Sequence, residues 1–434
     1  MPKRKIEYAK LTHMSEKEAL STEPYKGVRD FYPTDWRRQR YMFDLQRKVL
    51  TLAGFEEYQA SPLEHTEIYE NKGNEEIIRD QTYTFTDRGD RRVTLRPEMT
   101  PTLARMVAAK RRELVFPLRW FSIGNRFRYE RPQRGRGREF YQTDIDFLGV
   151  PEGDADVEML LLAHRIVTSF GATNDMFRLR VGSRSLLNAA CAAVGFTDAE
   201  VAEFRALLDR KDKMTKEEWE EAMQGKKNPL EEIEHPTNEM VTVEKAKLTT
   251  LIDTLHARGA SNVAFDPTIV RGFDYYTGVV FEMWDTHESN NRSVFGGGRY
   301  DRLVEMFSDE KIPAIGFAIG DMPFENFLDS HKLFPALSSD RGVYIGTVSP
   351  EDVAQAEVFA QSLQKEGVAT WVNVLPKKIG DQVKEAVRRG IPYFIAYGKD
   401  EQKKKKVRVK DLAKSKEKVL SLKEVAKYLR KNLG

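Results

Sequence analysis

The sequence predicts an α+β protein: an antiparallel sheet with flanking helices and a helical insertion, followed by a separate C-terminal α/β domain. Three observations support this prediction. Hairpin-like strand pairs recur through the first 300 residues, charged helical stretches replace them from about 195 to 257, and strand and helix alternate after residue 340. The length, 434 residues, corresponds to two to three domains and excludes a single small binding module.

The main domain is expected to begin with a long helix and a strand. Residues 1–22 are polar and aperiodic, so we expect a disordered extension there. Between 35 and 52 apolar residues recur at helical spacing, and Gly54 ends that helix. Residues 55–60 then have the pattern of a strand.

Consecutive hairpins predict the antiparallel sheet, with helices such as 154–170 packed against it. The turn-rich segment 87–90 (Asp-Arg-Gly-Asp) marks the first hairpin. The strand pairs are predicted at 83–86 with 92–95, at 120–129 with 140–148, and within 269–283 with about 293–295.

After a linker at 329–340 the pattern changes to that of a parallel α/β domain, which we place at 341–434. It follows a main domain at 23–335 in the chain. Its strands are predicted at 343–346, 370–374 and 393–397, and its helices at 351–366 and 379–389.

The net charge of +3 hides a strong asymmetry. The first 340 residues carry −7 and the last 94 carry +10, while residues 119–138 hold seven arginines against the single Glu130. Two separate basic surfaces on an otherwise acidic chain suggest a long polyanion that is touched in two places. For the lysine run 403–406 alone, a solvated hairpin tip is the competing interpretation.

Cysteine usage and hydropathy indicate the cellular setting. The single cysteine, Cys191, excludes an internal disulfide and a cysteine-based zinc site, and it fits a reducing compartment. No apolar run approaches the roughly 18 residues of a membrane helix, and residues 1–21 lack the apolar stretch of a signal peptide. We therefore expect a soluble cytoplasmic protein.

The common phosphate loops are absent, since the chain has no Walker A sequence and no Gly-x-Gly-x-x-Gly after a strand. Arginines on a sheet are the alternative, because guanidinium forks bind phosphate oxygens bidentately. In segment 126–132, alternation sends Arg126, Arg128 and Glu130 to one face. The aromatic side chains of the other face either stack a purine or pack in the core.

Three further segments are candidates for a polar pocket. Segment 95–101 places the carboxylate of Glu98 and the hydroxyl of Thr100 after a hairpin, which suits an ammonium group or simply starts a helix. Segment 270–278 crowds charge, two tyrosines and two glycines together and suits a pocket wall. Segment 296–301 is either a loop for close backbone approach or a plain turn.

Together these segments resemble the class II aminoacyl-tRNA synthetases, and among them the histidyl-tRNA synthetase family. The helix before Gly54 and the strand after it are similar to motif 1 of the class, and residues 127–132 through 141–142 are similar to motif 2. Segments 271–276 (Arg-Gly-Phe-Asp-Tyr-Tyr) and 297–301 (Gly-Gly-Arg-Tyr-Asp) resemble the two signatures of the histidine branch.

The resemblance implies a class II catalytic domain, an anticodon-binding C-terminal domain and a homodimer formed through motif 1. It also implies a reaction: histidine and ATP with Mg²⁺ give histidyl-adenylate, and the histidyl group is then transferred to the 3′ end of histidine tRNA. Such chemistry depends on positioning and charge neutralisation more than on a protein nucleophile.

Roles follow from the resemblance for each matching residue. Arg128 would bind the α-phosphate, with Glu130 near the adenine and Arg136 toward the outer phosphates. Arg271 would stabilise charge on the α-phosphate during attack by the histidine carboxylate. Histidine would be held at its ammonium group by Glu98, Thr100 and Gln142, and at its imidazole by Asp146 and Tyr276, with Tyr275 and Tyr300 in the same pocket.

The resemblance also implies the contacts with tRNA. Arg131 and Gln133 would meet the extra 5′ guanosine of histidine tRNA, and the C-terminal domain would bind the anticodon stem through Lys403, Lys404, Lys405 and Lys406. Both contacts would be sensitive to salt, because they are made largely to phosphates.

Two positions depart from the family pattern. Pro323 stands where motif 3 of the class has an ATP-binding arginine, so either Arg299 or Arg302 takes over the γ-phosphate or ATP use is impaired. Asp146 stands where many members carry Glu. The competing hypothesis is a catalytically impaired regulatory protein that senses histidine; such regulators lack the anticodon domain and the Arg271 and Tyr276 signature.

Overall fold

The computed structural model describes the chain except for residues 1–19, 71–80, 134, 212–213, 224, 272–274, 291, 338–341 and 434. Most of the predicted N-terminal extension thus lies outside the described residues. The chain divides into two compact units, one ending at Phe334 and the other beginning at Pro335. Within the described ranges, no helix combines the length and the apolar character needed to cross a membrane.

The first unit contains two sheets. Their strands are β1 (Glu56–Glu57), β2 (Leu63–His65), β3 (Tyr83–Thr86), β4 (Arg92–Leu95), β5 (Leu118–Phe127), β6 (Glu139–Leu148), β7 (Phe177–Ser183), β8 (Val263–Phe265), β9 (Val279–Asp285), β10 (Ser293–Arg299) and β11 (Ala314–Gly320).

Eight of these strands form the central sheet, in the order β1-β5-β6-β11-β10-β9-β7-β8. All neighbours are antiparallel except the edge pairs β1 with β5 and β7 with β8. Strands β2, β4 and β3 form a small antiparallel sheet, which contains the predicted hairpin 83–86 with 92–95. The predicted antiparallel fold is confirmed, although the strand expected at 55–60 is only two residues long.

Helices flank the central sheet and form the insertion. They are α1 (Pro33–Leu52), α2 (Glu67–Glu70), α3 (Thr100–Ala109), α4 (Asp154–Ser169), α5 (Arg184–Ala193), α6 (Asp198–Arg210), α7 (Lys216–Met223), α8 (Pro229–Glu234), α9 (Glu239–Ala257) and α10 (Asp321–Ser330).

The hydrophobic core lies between the sheet and the helices α1, α4 and α10. Leu160 and Ile166 of α4 are fully buried against sheet residues such as Ile145 and Phe281. Burying such a side chain stabilises the fold by about 1.5–3 kcal/mol. The opposite side of strands β6, β10 and β11 carries polar and small residues instead, and this side holds the cavity described below.

The second unit has one five-stranded sheet. Its elements are β12 (Val343–Thr347), α11 (Val353–Lys365), β13 (Thr370–Val372), α12 (Ile379–Arg388), β14 (Tyr393–Tyr397), α13 (Lys399–Lys404), β15 (Lys406–Asp411), β16 (Lys416–Ser421) and α14 (Leu422–Leu433). The strand order is β13-β12-β14-β15-β16.

The predicted α/β character of the second unit is confirmed, but the expectation of a purely parallel sheet is wrong. Only β13, β12 and β14 are parallel, and β15 and β16 add an antiparallel hairpin. In β15 the buried Val407 and Val409 alternate with the exposed Lys406 and Arg408, which is the pattern of a strand with one buried and one solvent-facing side. The adjoining lysine run obscured this alternation. That run ends helix α13 and starts β15, and so is not a hairpin tip.

Candidate active site

A row of polar side chains on β6 forms the floor of the site. Gln142, Asp144 and Asp146 occupy alternate positions, so all three face the same side of the sheet. The neighbouring strand β11 places Gly320, Ala318 and Gly316 directly beside them. Small residues next to a polar row leave room for a ligand to lie against the sheet.

The space above this row is a cavity of about 140 Å³, which we call the inner cavity. It brings together all seven residues predicted to bind histidine, together with Arg128 and Arg271. Its lining consists of Glu98, Thr100, Arg128, Phe140, Gln142, Asp144, Asp146, Arg271, Tyr275, Tyr276, Gly296, Tyr300, Gly316, Phe317, Ala318 and Gly320.

Asp146 is a buried acceptor at one end of the inner cavity. Tyr300 donates its hydroxyl hydrogen to Oδ1 of Asp146, whereas Oδ2 is buried and has no hydrogen-bond partner within the described residues. Burial raises the pKa of this carboxyl to about 8. An orphaned buried acceptor is costly unless a ligand satisfies it, so this end suits an N–H donor such as that of an imidazole.

Glu98 occupies another part of the cavity wall. Its Oε2 accepts a hydrogen bond of 3.0 Å from the hydroxyl of Tyr275. Burial raises the pKa of Glu98 to about 7, against the opposing effect of the nearby Arg128 guanidinium. Gln142 Oε1 is a second buried acceptor without a partner among the described residues. A carboxylate and an amide oxygen can together receive an ammonium group.

Beneath the cavity lies a buried ion pair that the sequence analysis did not identify. Arg126 Nη2 and Asp144 Oδ2 are 2.6 Å apart, and the Arg126 side chain is fully buried. Arg126 therefore does not belong to a phosphate-binding face, contrary to the prediction that it shares one with Arg128. Removing either partner would leave an uncompensated buried charge, which typically costs 3–5 kcal/mol.

Arg271 is held from several sides. Its Nη1 donates to Glu282 Oε1 at 2.7 Å, and its backbone carbonyl accepts a hydrogen bond of 2.8 Å from Arg184. Its φ of +55° is in the left-handed region, which a non-glycine residue occupies only when its surroundings enforce it. A Cβ on Gly296 would lie 3.2 Å from the Arg271 Cζ, so the glycine leaves room for the guanidinium.

The predicted loop at 296–298 is instead part of a central strand. Gly296, Gly297 and Gly298 pair with β9 on one side and β11 on the other. A Cβ on Gly297 would lie 2.5 Å from the Phe317 Cα, so this position tolerates no side chain. The glycines therefore serve close packing within the sheet, and the alternative of a plain turn is also wrong.

A second cavity, of about 330 Å³, adjoins the first, and we call it the outer cavity. Arg128, Phe140 and Gly320 line both. The remaining lining residues are Gln81, Glu130, Gly135, Arg136, Gly137, Met322 and Pro323. A larger cavity of about 690 Å³ lies between α4 and α9, but no arginine is among its lining residues, so it is less suited to phosphate.

The loop between β5 and β6 covers the outer cavity. Arg128 Nε donates to the carbonyl of Pro97 at 3.0 Å, which anchors the arginine at the border of the two cavities. Arg136 Nη1 lies 3.5 Å from Glu130 Oε2, and its side chain is 61% exposed. Arg131 and Gln133 are exposed nearer the tip of the loop, outside both cavities. These positions are compatible with contacts to a larger ligand.

Arg299 is buried and lines neither the inner nor the outer cavity. Its side chain is 1% exposed, and its guanidinium contacts Asp156 at 2.9 Å and Asp301 at 3.0 Å. Two backbone carbonyls, those of Val150 and Pro151, accept two more of its hydrogens. The geometry therefore does not support the expectation that Arg299 binds ATP, because this arginine is a structural cross-link behind the sheet.

The sequence analysis missed several residues that shape the site. Asp144 could have been found, because it lies between Gln142 and Asp146 in the same alternating row. Glu282 also leaves a signal, as a carboxylate within the apolar strand β9. Arg184 leaves none, since its contact with the backbone of Arg271 spans 87 positions in the chain.

The fold and the site define a class of protein. A largely antiparallel sheet that carries adjoining polar and arginine-lined cavities has the architecture of class II aminoacyl-tRNA synthetases. A family model described as "Histidyl-tRNA synthetase" matches residues 27–321, and one described as "Anticodon binding domain" matches residues 342–432. The chain belongs to the histidyl-tRNA synthetase family.

Relatives match over nearly the whole length. The chain is 38% identical to the histidine–tRNA ligase of Leptospira biflexa, over 96% of this chain and 100% of that one. It is 31% identical to the histidine–tRNA ligase of Pyrococcus furiosus, over 95% and 99%. The crystal structure of histidyl-tRNA synthetase from Nostoc sp. PCC 7120 shares the fold, with a TM-score of 0.78, 23% identity, and coverage of 95% and 100%.

Proposed function

We propose that the protein is a histidine–tRNA ligase. It activates L-histidine with ATP to histidyl-adenylate and pyrophosphate, and then transfers the histidyl group to the 3′-terminal ribose of histidine tRNA. The observation that supports this most strongly is the pair of adjoining cavities, which meet at Arg128. One has the acceptors for an amino acid, and the other has the arginines for a nucleotide. The full-length relatives carry the same activity in their names.

Histidine is proposed to occupy the inner cavity. Its ammonium group lies against Glu98, Gln142 and Thr100, and its imidazole donates to Asp146. Tyr276 and Tyr300 flank the ring, and Tyr275 orients Glu98. An ammonium group can be recognised by ionised Glu98 and an imidazole N–H by the orphaned oxygen of Asp146, so the ligand satisfies buried groups that otherwise destabilise the site.

ATP is proposed to occupy the outer cavity, with Glu130 near the adenine and Arg136 near the outer phosphates. Its α-phosphate then lies at the border, beside Arg128. A carboxylate oxygen of histidine attacks the α-phosphorus, a new P–O bond forms, and the bond to the β-phosphate breaks to release pyrophosphate. Arg271 and Arg128 stabilise the charge that develops on the α-phosphate.

Mg²⁺ is proposed to accompany ATP. Among the described lining residues of the outer cavity, Glu130 is the only carboxylate, and the described residues contain no cluster of three or more metal-ligating side chains. This donor set fits an ion that is held by phosphate oxygens and water rather than by a cluster of protein side chains. Bound there, Mg²⁺ would neutralise phosphate charge.

The test is ATP–pyrophosphate exchange, measured with histidine, without it, and with other amino acids. We expect exchange that depends on histidine, followed by charging of histidine tRNA. The second candidate, a histidine-sensing regulator, is favoured by Pro323 alone and is opposed by the match of residues 342–432 to an anticodon-binding domain. Histidine binding without any exchange would contradict the ligase and support the regulator.

The second unit is proposed to bind the anticodon stem through the lysine run 403–406. All four side chains are exposed. Reversing them to glutamate should weaken binding of histidine tRNA about tenfold or more in low salt and flatten its salt dependence, because phosphate contacts are lost. Histidine-dependent exchange should not change.

The matched control reverses Lys414 and Lys416, near the turn that joins β15 to β16. We expect a smaller effect on tRNA binding from this pair. Unchanged tRNA affinity after reversal of the run 403–406 would contradict the assignment.

A homodimer is proposed through the motif 1 region, α1 with β1. Strand β1 lies at the edge of the central sheet, and the apolar Leu52 is 79% exposed. An edge strand beside an exposed apolar residue is a surface that a second copy can cover. Light scattering of the purified protein measures this directly.

A further inference from the structure

The outer cavity has an end without an arginine of its own. Gly320, Met322 and Pro323 form this end, at the start of α10. The first residue of α10 is Asp321, whose buried carboxylate accepts hydrogen bonds from Arg29 at 2.6 Å and Gln39 at 3.0 Å. Arg29 thus neutralises a carboxylate at this end. A triphosphate that extends toward Pro323 needs a positive charge from another element.

Arg292 approaches this end from the neighbouring strand. Strand β10 starts at Ser293 and runs antiparallel to β11, with Gly296 opposite Ala318. The pairing ends at Gly296 and Ala318, and α10 follows β11 directly. Helix α10 also packs against β10. Arg292 thus directly precedes a strand that packs against the helix carrying Pro323.

The guanidinium of Arg292 lies against the loop that covers the outer cavity. A Cβ on Gly135 would lie 2.9 Å from the Arg292 Cζ, and one on Gly137 would lie 3.3 Å from the Met322 Sδ. Gly135 has φ +76°, so it also adopts a backbone conformation that side chains disfavour. The two glycines that flank Arg136 are thus bracketed by Arg292 on one side and α10 on the other.

We infer that Arg292 binds the outer phosphates of ATP and replaces the charge that Pro323 does not provide. A guanidinium fork binds phosphate oxygens bidentately. The Arg292 guanidinium lies at Gly135, and both Gly135 and its neighbour Arg136 line the outer cavity. This assignment rests on the proposal that ATP occupies the outer cavity. It makes Arg292 an ATP-binding residue that acts together with Arg136.

The test combines removal of the Arg292 side chain with introduction of an arginine at position 323. Arg292→Ala should raise the KM for ATP in exchange about 10- to 100-fold, as expected for the loss of a hydrogen-bonded charge, and should leave the KM for histidine unchanged. Adding Pro323→Arg to Arg292→Ala should restore most of the ATP affinity. Loss of loop structure alone would not be repaired by this second substitution. Arg178→Ala is the control, since Arg178 is exposed on β7 and lines neither cavity.

Direct titration separates this assignment from the proposed function. Arg292→Ala should weaken binding of ATP but not of AMP, which lacks the outer phosphates, and this readout does not require turnover. Suppose that the wild-type protein shows no exchange, but Arg292→Ala still weakens binding of ATP and not of AMP. The ligase proposal then fails, whereas the role of Arg292 in ATP binding is retained. Equal losses for ATP and AMP, or an unchanged ATP affinity, would overturn the role of Arg292.

Discussion

Replacing Arg271 by alanine is expected to lower the rate of histidine-dependent ATP–pyrophosphate exchange by roughly 100- to 1,000-fold. Removing one donor that stabilises developing charge has effects of this size. Arg271 lines the inner cavity and is held by Glu282 at 2.7 Å and by packing on Gly296. Its charge is therefore preorganised for the α-phosphate, so the loss should fall mainly on kcat.

Histidine affinity and folding provide the controls for this prediction. Arg271→Ala should retain histidine binding by calorimetry, because the ammonium and imidazole contacts lie on other residues. Arg178→Ala, an exposed arginine on β7 of the same sheet, should leave exchange unchanged. Near wild-type kcat in Arg271→Ala protein of normal thermal stability would show that Arg271 is not catalytic.

Asp146→Asn is expected to have the largest effect on histidine recognition. The substitution keeps the shape and leaves one oxygen for the Tyr300 hydroxyl, but it puts an N–H donor where Oδ2 of the ionised carboxylate, the form that predominates above about pH 8, offers an acceptor. Two donors would then face each other in a buried site, and we expect the KM for histidine to rise roughly 100-fold. The KM for ATP should be unaffected. Asp309→Asn, at an exposed position, is the matched control.

The same substitution should change how stability depends on pH. Burial raises the pKa of Asp146 from an ordinary value of 3.8 to about 8 in the folded protein. The folded state therefore holds this proton more tightly than the unfolded chain. The resulting stabilisation is complete below about pH 4 and is lost as the pH rises through 8.

Asparagine does not titrate, so the melting temperature of Asp146→Asn should rise relative to wild type between pH 6 and pH 9. A difference of about 1 kcal/mol in stability corresponds to roughly 2–4 °C in a domain of about 150–250 residues and to a smaller shift in a larger one. A difference in melting temperature that stays constant from pH 6 to pH 9 would contradict the assignment of Asp146 as the titrating group.

Much of the site was accessible from the sequence because its residues lie in local patterns. Glu98 and Thr100 lie close together after a hairpin, and Gln142 and Asp146 share one face of β6, so each pair belongs to one short segment whose motif the family resemblance could match. Arg126 and Arg299 were misjudged, since each is buried against a carboxylate of another element: Arg126 meets Asp144 of β6 and Arg299 meets Asp156 of α4. An arginine in a loop and an arginine in a buried ion pair look alike in a sequence.

The sequence by itself determined the alternation that builds the antiparallel sheet, the change to strand and helix alternation after residue 340, and the family. These are local or periodic properties, and they can be recognised in the sequence without knowledge of the fold. Only the tertiary structure decided the register that sets Gly316 beside Asp146, the burial that shifts the pKa of that carboxyl, and the approach of the Arg292 guanidinium to Gly135. Charge, space and desolvation at a site depend on which distant segments meet, and that is fixed when strands pair and pack.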